Sequence, residues 1–467
     1  MKTEATTSVP WAATTLWPAE RRAPLVVVLA GIDGSDIVAA ALSDPTLTEA
    51  VIPKVEPNCT APCDALLWRL ETAAGDSLNQ SGVLRRHWHR RPYAITIRLV
   101  QYQPGSMAPE ILDEGTLGTR GPWAAFKAAT DRLAMRFLRD AARGRGRGPA
   151  GSAPAAAPHG GPGWLDALRA GWADRLMTEW WSVGTATAPI DRVLSGGGLG
   201  NVTWYRTETA HRYLADPFPW PGTDRILCEE MPLTDGVGRI VVVAMTGDDL
   251  GTPQVLLDDG AHHSYPCTLR DGDIVYCVPE SPMRGTTRIH RLLDTGELVP
   301  VCDPAPHYRL ADPTLFQWND RYWLGCTDLD LGSHDNLCLL HAPTISGPWT
   351  PHTRWPVKID VRGARPGGMM FNTGGRLFRP AQDCAATYGA AVAIHEILTL
   401  TETDFRETLT TVLTPDQSGP FPHGLHTLVH DGERFWVDGK RFVFDLMSLR
   451  RKLARRASGV FSKAGGD

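Results

Sequence analysis

Apolar and polar positions alternate in short runs through the C-terminal two thirds of the chain, and turn-forming residues cut those runs at a regular interval. The clearest unit spans Arg309 to Trp349: the runs TLFQW, RYWLGCT and NLCLLHA are separated by Asn319-Asp320 and by the polar loop from Asp328 to Asn336, and Ser346-Gly347-Pro348 closes the last. Period-two runs bounded by such residues predict strands joined by tight turns, here a four-stranded meander. Its opening, Leu310-Ala311-Asp312-Pro313, echoes Leu214-Ala215-Asp216-Pro217, and Ser264 in HHSYP stands midway between them. The repeat is about 48 residues, the length of a propeller blade. Further units open near Arg365 and near His423, the last reading as GLHTLVHD, ERFWVDG and KRFVF with a break at Asp438-Gly439. Five blades follow.

The N-terminal third has a different rhythm. Pro24 to Ala41 reads as a buried strand, a turn and a helix start, Asp64 to Leu70 and Tyr93 to Tyr102 as strands. Phe126, Leu133, Phe137 and Leu138 recur at helical spacing in Trp123 to Arg143. The turn GIDGSD is acidic and is no phosphate-binding GxGxxG. Residues 143–163, rich in Gly, Ala and Pro, form a linker. After it, LDALRAGWADRL (165–176) predicts a short helix, and EWWSVGTA and VTWYR predict strands that complete the ring. The expected class is therefore mainly β, a five-bladed β-propeller over residues 164–447 preceded by a small α/β domain (1–142) and followed by a basic tail (448–467).

Composition narrows the function. The 467 residues carry a formal charge of -5 and a pI near 6.3, which argues against nucleic acid as a partner. The nine cysteines are scattered and mostly lie in strand-like runs, so buried reduced thiols are expected, and Cys59-x3-Cys63 is a single pair without a second. No cofactor and no metal site are expected. The longest apolar run, LVVVLAGI, falls short of the ~20 residues of a membrane span, and the N-terminus lacks the apolar core of a secretory signal. A cytoplasmic location is the expectation.

Propeller geometry brings the start of each innermost strand and the loop after the second strand to one face, around a central funnel. That filter selects Asp216, Glu229 and Glu230 from blade one, His262, His263, Tyr265 and Glu280 from blade two, and Asp312, Asp328 and Asp330 from blade three. Arg365, Arg379, Gln382 and Asp383 come from blade four, and His423 and His426 from blade five. Facing carboxyl groups can hydrolyse or transfer a glycosyl group, one as protonated acid and one as base or nucleophile. The rest would bind ligand hydroxyl or anionic groups, Trp220, Tyr265 and Trp318 would stack on a sugar ring, and Arg379 would pair with Asp383. Asp-Pro is also a common turn opener, so Asp216 and Asp312 fit a shared turn as well as a shared site.

ADPFPW, HSYP, VPES, DPTLF-x-WNDRYWL, HAPTISGPW, ARPGG, GRLFRPAQDC-x3-YG and GPFPHGLHTL occur in that order between Ala215 and Asp445. This run resembles the propeller in the N-terminal part of plant glucosamine inositolphosphorylceramide transferases and, more distantly, the five-bladed furanosidases (arabinanases, xylosidases, fructosidases). The resemblance implies Asp216 as base or nucleophile, Glu280 as general acid and Asp312 as the carboxylate that orients and tunes it. It implies a carbohydrate or glycoconjugate ligand, and a glycoside hydrolase or transglycosylase. The alternative is a non-catalytic glycan- or glycolipid-recognition module acting with a partner glycosyltransferase. In the furanosidases the second Asp comes from blade two, where this chain has His263-Ser264-Tyr265. Tyr93 to Leu99 with Ile111 to Gly115 resembles the formyltransferase-like domains that precede some bacterial propellers, without their catalytic Asn, His-x-Ser-Leu-Leu-Pro run and paired Asp. A structural role, or docking of a partner enzyme, is expected of residues 1–142.

Overall fold

The structure, a computed structural model, describes residues 67–142 and 177–444 apart from short interruptions, together with the strands at 11–16, 25–29 and 54–55. The chain divides into two compact units, residues 1–161 and 162–467. The helix start expected before Ala41, Cys59 and Cys63, the linker 143–163, the helix at 165–176 and the basic tail lie outside the described residues.

In the first unit β1 (Trp11–Leu16), β2 (Leu25–Leu29) and β3 (Lys54–Val55) form one sheet. β4 (Leu67–Thr72), β5 (Ala94–Tyr102) and β6 (Glu110–Gly118) form a second, antiparallel throughout. A short helix α1 (Val83–His89) separates β4 from β5, and α2 (Trp123–Ala142) follows β6. Its apolar stripe of Phe126, Leu133, Phe137 and Leu138 is buried. Gly115 makes the close approach of α2 to β6 possible, because a Cβ there would meet Leu133 at 3.0 Å and Phe137 at 3.2 Å. No described helix is long and apolar enough to cross a membrane.

The second unit is a five-bladed β-propeller. β7 (Met177–Ala186), α3 (Ile190–Leu194) and β8 (Thr203–Trp204) come first in the chain. Blade one is β9 (Arg212–Pro219), β10 (Arg225–Pro232) and β11 (Arg239–Thr246), rimmed by β12 (Asp249–Leu250) and β13 (Gln254–Leu257). Blade two is β14 (Ser264–Asp271), β15 (Ile274–Glu280), β16 (Ile289–Leu292) and β17 (Leu298–Cys302). Blade three is β18 (Leu310–Trp318), β19 (Arg321–Asp328), β20 (Asn336–Ala342), β21 (Thr350–Pro351) and β22 (Lys358–Ile359). Blade four is β23 (Phe371–Thr373), β24 (Arg376–Asp383), β25 (Ala391–Leu400) and β26 (Phe405–Leu413). Blade five joins β27 (Leu428–His430) and β28 (Phe435–Phe444) to β7 and β8, in the order β27-β28-β7-β8. The ten-residue register from Phe435↔Ala186 to Phe444↔Met177 closes the ring.

β28 corrects one sequence expectation: Asp438-Gly439 is no turn but the middle of a single strand. Gly439 is needed for contact rather than for bending, since a Cβ would sit 2.4 Å from the Trp204 ring and 2.7 Å from Phe421. Six of the seven described cysteines are buried, all seven are free, and Cys302 is half-buried.

Blades one to three share a device at the start of the inner strand. The pairing with the second strand breaks between Ala215 and Phe218, between Ser264 and Cys267, and between Ala311 and Thr314. Each gap holds a residue with positive φ followed by proline: Asp216 (51°), Tyr265 (45°) and Asp312 (49°). Proline has no N–H to give the ladder, so a bulge forms there and re-aims the preceding side chain. Blade two is thus in phase at Tyr265, one residue beyond the Ser264 marked by the repeat.

Gly368 supplies the corresponding close approach in blade four. Its φ is 129°, and a Cβ would lie 1.9 Å from the Leu428 carbonyl oxygen. Gly368→Ala is expected to cost roughly 3 kcal/mol or more, because neither the backbone angle nor the backbone neighbour can adapt. Chemical denaturation of the purified chain measures it.

Candidate functional site

The three bulge amides are each held by a carboxylate from the blade before. Asp216 N–H donates to Asp438 Oδ2 (3.1 Å), Tyr265 N–H to Asp216 Oδ2 (3.1 Å) and Asp312 N–H to Glu280 Oε2 (2.7 Å). Blades five, one, two and three are therefore stitched in turn. Between blades three and four the link is ionic: Arg365 grips both oxygens of Asp312, and Gln382 Nε2 donates to the same carboxylate at 2.7 Å. Blade four meets blade five through Leu428 N–H to the Gly367 carbonyl (2.8 Å). Tyr265 spans the centre, its hydroxyl accepting the Gly368 N–H (2.7 Å) and lying 2.8 Å from Thr314 Oγ1.

Five acids meet here, Asp216, Glu229, Glu280, Asp312 and Asp438, none more than 7% exposed. Glu229 and Glu280 occupy the same phase of β10 and β15, each opposite the residue that precedes its own bulge. Burial pushes the Glu280 carboxyl well above the usual range, and Asp312 beside it adds to the effect. Burial also raises Asp216, to about 6, with Asp438 and Asp312 raising and His426 lowering it. Glu229 is driven well up by burial, then by Asp216 and Glu280. Arg365 is held firmly protonated: burial would lower it, but Asp312 outweighs that.

His426 joins the ring from blade five. Its Nδ1 lies 2.6 Å from Asp438 Oδ2 and its Nε2 3.5 Å from Asp216 Oδ1, which also accepts the Thr427 hydroxyl at 2.7 Å. Burial would lower the imidazole, but Asp438 and Asp216 outweigh it and raise it. Asp216, His426 and Asp438 have the donor types and spacing to hold a metal ion. The two carboxylates already accept backbone N–H groups and the Thr427 hydroxyl, while His426 Nδ1 makes no hydrogen bond among the described residues despite its approach to Asp438. Around them stand Trp181, whose ring centroid is 4.0 Å from His426, and Tyr388, 5.3 Å from His426 with Arg365 at 5.1 Å over its face.

Of the residues expected at the funnel, Asp216, Glu229, Glu280, Asp312, Arg365, Gln382 and His426 come together. Tyr265 is there too, but fully buried, as a brace with no face for a ligand. The others are elsewhere. Glu230 lies on the opposite face of β10 from Glu229, ion-paired with Arg212 and Arg239, because strand side chains alternate. His263 has both ring nitrogens committed, to Ser281 Oγ (2.7 Å) and Asp259 Oδ1 (2.8 Å). Arg379 does not pair with Asp383; it is buried inside blade four on Glu407, with Lys358 and His395. Asp383 accepts the Ala385 N–H instead (2.9 Å), and burial raises it to about 6. His423 lies against Phe442, and its Nδ1 accepts that residue's N–H at 3.3 Å. Trp220 is core, and Trp318 packs half-buried against another core cluster. Sequence reasoning missed Asp438, hidden in an apparent turn, and gave no role to Tyr388 or Trp181. The signal for Asp438 was the apolar sequence on both sides, FWV and RFVF, with no second turn former.

A propeller with a ring of buried acids at its centre is thus the class of this unit. Residues 208–419 match the family profile described as "Glucosamine inositolphosphorylceramide transferase 1, N-terminal". Glucosamine inositolphosphorylceramide transferase 1 of Oryza sativa subsp. indica is 29% identical over 212 residues, 42% of this chain and 27% of that protein. Its counterpart in Arabidopsis thaliana is 29% identical over 210 residues, with the same coverage. The chain thus spans about a quarter of the length of these relatives. Similar solved structures include an exo-beta-1,3-galactanase from Clostridium thermocellum (TM-score 0.35, 12% identity, covering 45% of this chain and 53% of that one). Another is a GH43_1 enzyme from Xanthomonas citri (0.35, 12%, covering 50% and 88%).

The Asp312–Arg365 pair carries a direct test. Arg365→Met leaves a buried carboxylate with Gln382 as its remaining side-chain donor, and should destabilise the unit by roughly 3–5 kcal/mol. Adding Asp312→Leu should restore part of that loss, measured by denaturation of the single and double variants.

Proposed function

We propose that the propeller acts on the sugar of a glycoconjugate as a glycoside hydrolase or transglycosylase, with Glu280 as proton donor and Asp216 as base. The observation that carries this is the meeting, at one buried centre, of acids whose surroundings drive their ionisation apart. Burial, with Asp312 beside it, favours the protonated form of Glu280, while Asp216, at about 6, has largely lost its proton at neutral pH. Asp312, fixed by Arg365 and Gln382, presents negative charge to Glu280 and holds the proton there until a leaving oxygen takes it. The stacking role passes to Tyr388, which is half-buried rather than sealed. The plant relatives' names, which pair glucosamine with inositolphosphorylceramide, support a glycolipid-like ligand.

One observation favours a second reading. Both oxygens of Asp216 and both of Asp312 already accept hydrogen bonds from protein donors, as in a module that recognises a glycan for a partner glycosyltransferase without cleaving it.

Asp216→Asn and Glu280→Gln separate the two. Either amide keeps an acceptor for its bulge amide, so folding should persist while aryl-glycoside turnover falls by roughly 10²- to 10⁴-fold. In the parent chain kcat/KM should rise with pH through about 6 as Asp216 ionises. Full turnover in both variants would sink the catalytic assignment in favour of recognition.

A further inference from the structure

Glu229 differs from the other acids of the ring. Glu280, at the same phase in the next blade, holds the amide of Asp312. The equivalent amide for Glu229 is that of Tyr265, and Asp216 has taken it. Glu229 is left without a stitching role. Its Oε1 is fully buried and has no hydrogen-bond partner, so the 9% of the side chain still open to solvent lies away from that atom.

What faces Oε1 is His262. The Nδ1 of His262 accepts the Gly238 N–H at 2.9 Å, which fixes the ring proton on Nε2, and Nε2 points at Glu229 Oε1 from 3.7 Å. Burial lowers the imidazole to about 4, with His263 adding to the shift, so the ring is neutral. Position 238 must be glycine for this arrangement, because a Cβ would stand 2.3 Å from Oε1 and 2.8 Å from His262 Cε1. The N–H that faces Oε1, though at 3.7 Å too far for a hydrogen bond, favours the carboxyl proton on the other oxygen. Burial first, and then Asp216, raise the proton affinity of this carboxyl.

We propose that Glu229 is a ligand-contacting residue, a neutral carboxylic acid that donates a hydrogen bond through Oε2 to a hydroxyl or ether oxygen of the glycan beside Asp216. This rests on the glycan reading above. It adds a third polar contact to the funnel, with His262 and Gly238 as the residues that position it.

Two measurements on the full chain test the assignment. Infrared spectra at neutral pH should contain the carbonyl band of a protonated carboxyl that Glu229→Gln removes; no loss of band overturns the neutral-acid donor. On a printed glycan array, Glu229→Gln, whose amide still donates, should keep the parent's binding pattern. Glu229→Leu should lose roughly tenfold or more, since a ligand oxygen is left unpaired. Removing an unpartnered buried acid costs no hydrogen bond, so Glu229→Leu should unfold no earlier than the parent, which separates lost contact from lost fold. Equal binding by Glu229→Leu and the parent overturns the contact and leaves the glycan reading standing. An array on which the parent binds nothing overturns both.

Discussion

The hydrogen bond from a bulge amide to a carboxylate of the preceding blade is the constraint on which the propeller's centre depends. Inner strands of neighbouring blades do not pair with each other, so backbone polar groups at their starts have no ladder to enter. A buried amide left unpaired costs on the order of 1–3 kcal/mol, and three such amides occur in succession. Asp438, Asp216 and Glu280 satisfy them, and in doing so become the seams of the ring. The acids are architectural first, and any chemistry they perform is done by groups whose positions the fold already dictates.

This double duty explains the pattern of ionisation. An acid that must sit in a desolvated centre to hold an amide is pushed toward its neutral form by burial alone, and crowding by its neighbours pushes further. A cation at hand opposes this: His426 at Asp216 and Arg365 at Glu280. The spread of proton affinities is therefore a by-product of closing five blades around a narrow axis.

Much of the architecture was legible because it is periodic. The Asp-Pro echo at 216 and 312 located the inner strands, and its ambiguity between turn and site dissolves, since Asp216 is both the bulge and part of the acid ring. Tyr265 was harder: nothing in HSYP signals that a tyrosine takes the place of an aspartate with the same backbone angle. Arg379 and Asp383 went astray because, although they share a face of β24, they stand four residues or roughly 13 Å apart along it, and the partner that matters, Glu407, comes from a strand two turns later. Asp438 was lost to local turn chemistry, which a ten-residue pairing with β7 overrides. His426 reaches Asp216 from 210 positions further along, a proximity legible only through the blade geometry that brings both to one face.

The closure of blade five also bears on how the molecule is made. β7 is synthesised before any complete blade, yet its partner β28 is nearly the last strand of the ring to emerge. Until then β7, which carries Trp180 and Trp181, has only the two-residue β8 beside it in the sheet. Long-range pairing of this kind is slow to form and leaves an open strand edge exposed meanwhile. A ribosome paused before Phe435 would hold four blades and an unsealed fifth.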